Sequence, residues 1–277
     1  MSRNNQSRLA APQPAHSVDP VGAFPQTHIT YAVPTEFVEL PSHGLFYPPN
    51  HPLHGKDSVE IKHMTAKEED ILTSDSLIKK GIVLDRLMQS LLMDKSIDPA
   101  SLLSCDRNAI FVAARISGYG SEYEAQVVCP VCGKNHDIVY DLTNSKTQET
   151  VVREDISRTN RGSCLVTLPK TGKAIEFRLL VGYDEKQLSN SDKNSKQTSG
   201  VTDQLKSLIL TIDGDPDIAQ ISAFVMNMPA FDSRFLRKAI KDMTPVTDFQ
   251  YELTCDSCGT ESVAEVPIGT KFFWPDV

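Results

Sequence analysis

Hydrophobic and polar positions along the chain sort into short strands and amphipathic helices separated by polar turns. Val59-Glu60-Ile61-Lys62 alternates with the period of two that turns one face of a strand toward a core. Thr65-Ala66-Lys67-Glu68 follows as a capping box, so a helix is predicted over Ala66 to about Thr73. A second helix is predicted over about Ile82 to Met93, where Ile82, Leu87 and Leu91, with Val83, Leu84, Met88 and Leu92, make a broad apolar face. A third is predicted over Pro99–Ile116, opened by a first-turn proline and closed at Gly118, with Leu102, Leu103, Ile110, Ala113 and Ala114 toward the core. Upstream, a short strand runs into Pro41, Ser42–Gly44 turn, and the apolar Leu45, Phe46 and Tyr47 are stopped by Pro48 and Pro49.

The second half repeats this mixture. Cys164–Pro169 and Ala174–Val181 read as a hairpin turning at Lys170–Lys173, and a helix is expected to start within Asp184–Leu188. Helices are predicted over Thr202–Ile212, Ile218–Asn227 and Ser233–Asp242, the last capped by Asp232 or Ser233 and followed by Pro245. Residues Met1 to about Thr27, and Ser189–Gly200, hold too few large apolar side chains to offset the entropy of ordering, so disorder is expected in both. Thr143–Thr150 reads as a polar spacer.

Two turns stand out from this background. Cys129-Pro130-Val131-Cys132-Gly133 lies between strand-like Tyr123–Val128 and Asp137–Leu142, and Cys255-Asp256-Ser257-Cys258-Gly259 lies between Phe249–Thr254 and Ser262–Pro267. Two residues between thiolates let both sulfurs face one ion, and the glycine permits the sharp turn. Together Cys129, Cys132, Cys255 and Cys258 supply the four sulfurs of one closed, structural Zn²⁺ site. Disulfides and dithiol redox are the competing uses. A redox Cys-x-x-Cys opens a helix, whereas both of these sit in hairpin turns, and four thiolates leave no open position for catalytic water. His136, four residues past Cys132, is a substitute ligand that a complete sulfur set does not need. The ion would close a loop of about 120 residues and fasten the intervening segment between two ribbons.

The fold class expected is therefore α+β, with helical segments around β-hairpins and a zinc-ribbon-like module made of the two knuckles. The layout expected is an arm over 1–30, a strand-turn and helical region over 31–120, the first knuckle ribbon over 121–145, a hairpin and helical insertion over 146–245, and the second ribbon with an aromatic tail over 246–277.

Composition narrows the function. Of the 277 residues 40% are hydrophobic and 23% charged, as in ordinary globular proteins, and neither a signal peptide nor a membrane span is visible, so a soluble, intracellularly made protein is expected. The net charge of −8, with Asp137, Asp141, Asp256 and Glu261 around the knuckles, argues against a nucleic-acid-binding zinc ribbon. Cys105 and Cys164 read as small buried hydrophobes, and His43, His51 and His54 as loop residues without a completing ligand set. Gly118-Tyr119-Gly120 is a turn and not a phosphate loop, and no Walker, His-Glu-x-x-His or Gly-x-Ser-x-Gly motif is present, so no catalysis is expected. The terminal Phe272-Phe273-Trp274 either folds back on the core or docks into a partner, and Phe46 and Tyr47 are further candidates for partner contact.

One resemblance runs through these features in order. Phe37–Pro48, then Val59-Glu60-Ile61-Lys62-His63-Met64-Thr65-Ala66-Lys67-Glu68-Glu69-Asp70-Ile71-Leu72, the two knuckles and Phe272-Phe273-Trp274-Pro275 together resemble the baseplate hub and hub-assembly proteins of T-even-type contractile-tailed phages. The resemblance implies a non-enzymatic virion component at the hub or inner baseplate, made in the host bacterial cytoplasm and contacting other tail proteins in several copies. It equally admits an assembly chaperone that leaves before the particle matures.

Overall fold

A computed structural model of the chain describes residues 32–148, 150, 153–187, 200–268 and 272–274. The expected arm at 1–30 and all but the last residue of the loop at 189–200 lie outside the described residues. Among the described residues, helices combine with small antiparallel sheets, and no helix is long and apolar enough to cross a membrane.

The chain enters as an antiparallel ribbon, β1 (Thr35–Glu39) against β2 (Ser58–Lys62), with Val38, Val59 and Ile61 buried as their alternation requires. The connection between them doubles back at Gly44 (φ +66°), where a Cβ would stand 2.4 Å from the Lys56 nitrogen, so only glycine fits. What holds this turn is a buried carboxylate. Asp106 accepts from the Ser42 N–H (3.0 Å), the Ser42 hydroxyl (2.6 Å) and the Tyr47 hydroxyl (2.8 Å), and Tyr47 accepts in turn from the Leu103 N–H (3.1 Å).

Helices α1 (Ala66–Leu72), α2 (Asp75–Lys80) and α3 (Val83–Leu91) follow. The capping box forms as its spacing predicts, and Glu68 does more than cap. Fully buried, it also accepts from Lys62 Nζ (2.6 Å) and Ser90 Oγ (2.6 Å), tying α1 to β2 and α3. Burial alone would raise its pKa, but the bonds from Lys62, Ser90 and Thr65 prevail and hold it down at about 2, from an ordinary 4.5. A depressed carboxyl stabilises the fold above its unfolded pKa and loses that contribution as pH falls through the folded value. We expect Glu68→Gln to be less stable than wild type by about 3 kcal/mol at neutral pH. That gap should close between pH 4.5 and about 2, read as melting temperature against pH. A gap that stays constant with pH would contradict the charged role.

The helix expected over Pro99–Ile116 is split. A 3₁₀ turn at Pro99–Ser101 ends in extended Leu102 and Leu103, and α4 runs over Ser104–Tyr119. Tertiary hydrogen bonds outbid helix propensity here: Gly182 donates to Leu102 O (3.0 Å) and Ser104 to Leu180 O (3.0 Å), so this backbone behaves as a strand edge.

Beyond the first knuckle ribbon, β3 (Glu122–Val128) and β4 (Asn135–Asp141), the supposed spacer contains β5 (Lys146–Gln148). It pairs with β10 (Val246–Asp248), which leads into β11 (Gln250–Thr254) and β12 (Glu261–Glu265). That small clasp joins the two ends of the segment between, which is also tied to the start of α4 through Leu180 and Gly182. The insertion carries the antiparallel sheet β6-β7-β8-β9, built from Ile156–Arg158, Cys164–Thr167, Ala174–Phe177 and Ile209–Ile212. Its helices are α5 (182–187), α6 (Val201–Leu208), α7 (Ile218–Asn227) and α8 (Ala230–Met243).

Two expectations are corrected in this half. The helix expected over Thr202–Ile212 stops at Leu208, because Ile209-Leu210-Thr211-Ile212 completes the open edge of β8 and its β-branched residues favour a strand. The last helix starts at Ala230 with Pro229 as its cap residue. Asp232 is not a cap: fully buried, it accepts from Lys170 N (2.9 Å), Thr171 N (3.0 Å) and Thr171 Oγ1 (2.8 Å), and so fastens the β7–β8 turn to α8.

Candidate metal centre

Each knuckle ribbon has one buried and one exposed face, with Tyr123, Val127, Ile138 and Tyr140 buried on the first and Leu253 and Ala264 on the second. The ribbons are held together near their bases. Tyr140 meets Phe249 edge to face at 6.3 Å, and the Tyr123 hydroxyl donates to Pro267 O at 3.0 Å. The pairing of β5 with β10 links the chain leaving the first ribbon to the chain entering the second.

At the tips the two turns are built alike. The Gly133 N–H donates to Cys129 O (2.9 Å) and the Gly259 N–H to Cys255 O (2.8 Å), with both glycines at positive φ, +73° and +68°. The next bonds match as well, Cys129 N to Lys134 O (2.9 Å) and Cys255 N to Thr260 O (3.0 Å). Each turn therefore presents its two sulfurs on the same side, and the hairpins aim both pairs at one point.

There the four sulfurs gather, all within 4.8 Å of one another. Cys129 and Cys258 stand 3.8 Å apart, and Cys132 and Cys255 3.5 Å, although these partners are 129 and 123 residues apart in sequence. Around a zinc ion with bonds of about 2.3 Å, tetrahedral sulfurs stand about 3.8 Å apart, so the donor set fits a closed thiolate site. No disulfide joins any of the described cysteines. Cys129 and Cys255 are buried, Cys132 and Cys258 face solvent, and His136 is outside the cluster, so the substitute-ligand idea finds no geometric support.

The turns also prepare sulfurs for a cation. Backbone N–H groups of Cys132 and Val131 lower the Cys129 pKa, and the Thr260 hydroxyl and N–H bring Cys258 down to about 6. Cys132 rises to about 11: the Lys134 N–H lowers it, but the Cys255 sulfur beside it prevails, as do the further sulfurs behind. Without an ion, one cluster cannot hold four negative sulfurs; a divalent cation removes that conflict and takes all four as thiolates. Thr260 was not singled out in the sequence, although a hydroxyl two residues past the second cysteine was visible there.

The remaining candidates lie elsewhere. Cys105 and Cys164 are buried, and burial pushes both thiols above their usual range. Phe272 and Phe273 are buried against the chain's own core, stacked edge-on with Tyr123 (5.4 Å) and Phe111 (5.6 Å). Trp274 is half-buried and donates from Nε1 to Leu72 O (3.0 Å), satisfying a carbonyl left open at the end of α1. Phe46 and Tyr47 are buried too, Tyr47 lying flat on His51 at 4.2 Å. Phe46, Tyr47, Phe272 and Phe273 are thus enclosed in the chain's own core, and of the five candidates for partner contact only Trp274 is partly open to solvent.

The model of the family described as T4 bacteriophage base plate protein matches residues 39–274, which takes in both knuckles and the aromatic tail. No curated protein and no solved structure matches the chain.

Proposed function

The chain belongs to the T4 bacteriophage base plate protein family, and from that premise we propose that it is a non-enzymatic structural component of a contractile-tail baseplate, stabilised by one Zn²⁺ and joining neighbouring tail proteins at the hub or inner baseplate. The observation that carries this reading is the closed quartet of Cys129, Cys132, Cys255 and Cys258. A metal coordinated by four thiolates has no open position for substrate or water, so its contribution is to shape. The ion fixes the tips of two ribbons whose bases are already joined, which makes the ribbon pair one stiff body. Stiffness of that kind suits a part that holds neighbours in register within a large particle.

Mass spectrometry of purified particles against infected lysate tests the setting. The reading expects the protein in mature particles at a fixed ratio to other baseplate components. Presence in lysate but absence from particles would mark it as a transient assembly factor.

The metal has its own test. Cys129→Ser and Cys258→Ser should each fall from one bound zinc per chain to none, measured by elemental analysis. Limited proteolysis should then open the knuckles at 129–134 and 255–260 first, because the clasp of β5 with β10 still roots the insertion. Unchanged metal content in either variant would contradict a shared site.

A further inference from the structure

Two surfaces carry like charges that no ion pair offsets among the described residues, although the Gln126 amide donates to Asp137 (3.0 Å) on the second. On α8 the solvent face reads Arg234, Arg237, Lys238 and Lys241, all exposed and none ion-paired among the described residues. Their spacing is i, i+3, i+4 and i+7, so four cations share one stripe and repel one another. At its N-terminal end the stripe meets exposed apolar side chains, Phe231 (64% exposed) and Met226 (62%).

The outer face of the first ribbon is its counterpart. Glu122 sits directly opposite Asp141 across the strands, Glu124 opposite Val139, and Gln126 opposite Asp137. Opposed carboxylates destabilise a ribbon, and β3 and β4 carry no lysine or arginine to relieve them. The backbone and hydroxyl of Thr143 hydrogen-bond Asp141 and keep it ionised. In the middle of this acidic face Val139 is 58% exposed, beside a shallow groove of about 630 Å³ lined by Glu124, Gln126, Asp137, Ile138 and Val139.

We propose that the cationic stripe of α8 docks on the outer face of the β3–β4 ribbon of a second copy of this chain, head to tail. Four cations meet four carboxylates, and Phe231 and Met226 lie at the edge of that contact. The lengths agree, since seven residues of helix span about 10 Å and four of strand about 14 Å. A net charge of −8 otherwise disfavours self-association, and this pairing overcomes that repulsion locally. Because the two surfaces differ, every copy keeps one of each free, and the contact propagates into a ring or a row. It requires neither the zinc ion nor the virion setting.

Sedimentation velocity on the full-length protein tests it. Wild type should associate at about 50 mM salt and weaken at least tenfold by about 500 mM. The helix variant Arg234→Glu/Arg237→Glu/Lys238→Glu and the ribbon variant Glu122→Lys/Glu124→Lys/Asp137→Lys should each be monomeric. Mixed together they should associate again, because the intact stripe of one meets the intact ribbon of the other and the two reversed surfaces carry opposite charges as well. If charge reversal disturbs folding, judged by circular dichroism, glutamine at the same positions serves instead. A wild type that stays monomeric at low salt overturns the proposal. So does association that survives in either variant alone, or a helix stripe that binds only some other acidic tail protein.

Discussion

Phe273→Ala should lower the stability of the whole chain by about 3–5 kcal/mol, and Phe272→Ala by a similar amount. Each ring leaves a cavity between elements that are far apart in sequence. Phe272 packs on Tyr123 of β3, Phe273 on Phe111 of α4, and the two rings meet each other at 4.9 Å. Trp274 adds the bond to Leu72 O across a separation of 202 residues. The tail therefore closes the region around α1, α4 and the first ribbon. Adjacent rings share neighbours, so the double variant should cost less than the sum of the singles. Even so, a loss of that size is comparable to the total stability of an ordinary domain. Calorimetry should register a fall of about 6–20 °C for either single variant. An unchanged transition together with failed assembly would restore the tail to a partner-docking role.

The second large effect is expected at Asp106. Asp106→Ala removes the acceptor for the Ser42 N–H, the Ser42 hydroxyl and the Tyr47 hydroxyl at once, leaving three buried donors unpaired. At about 1–3 kcal/mol for each unmet donor, partly relieved by relaxation, a cost of about 4 kcal/mol is expected. Tyr47→Phe should cost less, about 1–2 kcal/mol, since it strands only the Leu103 N–H and one carboxylate bond. Burial raises the Asp106 pKa despite the bonds from Ser42 and Tyr47, so this carboxylate favours the fold less at neutral pH than its bonds alone suggest. Urea denaturation of the two variants should rank them in that order. Equal costs would mean that the carboxylate contributes little beyond its bond to Tyr47.

How much of this was readable beforehand depended on whether the signal was local. The knuckles are local: Cys-x-x-Cys-Gly dictates its own turn, and the four sulfurs of the two copies converge. The capping box at Thr65–Glu68 is local in the same way, and so is the helix at Ile218–Asn227, whose bounds the apolar pattern gives correctly. What escaped was decided by partners remote in sequence. Lys146-Thr147-Gln148 has no strand character of its own and becomes β5 only because Val246–Asp248 lies beside it. Ile209–Ile212 continues a helical pattern until the open edge of β8 claims it. Asp232 has the composition of a cap but is drawn into the β7–β8 turn by two backbone N–H groups that no window on the sequence brings near. The aromatic tail left two outcomes open, and only the position of Phe111 and Tyr123 decides between them.

Native mass spectrometry combined with elemental analysis of the untreated full-length protein tests the central claim most directly. A four-thiolate clasp within one chain predicts one zinc per chain, carried by the monomer mass, with Cys129, Cys132, Cys255 and Cys258 shielded from alkylation until a chelator removes the metal. A folded chain without metal whose four knuckle thiols react freely would contradict it, as would half an equivalent of zinc found only on dimers.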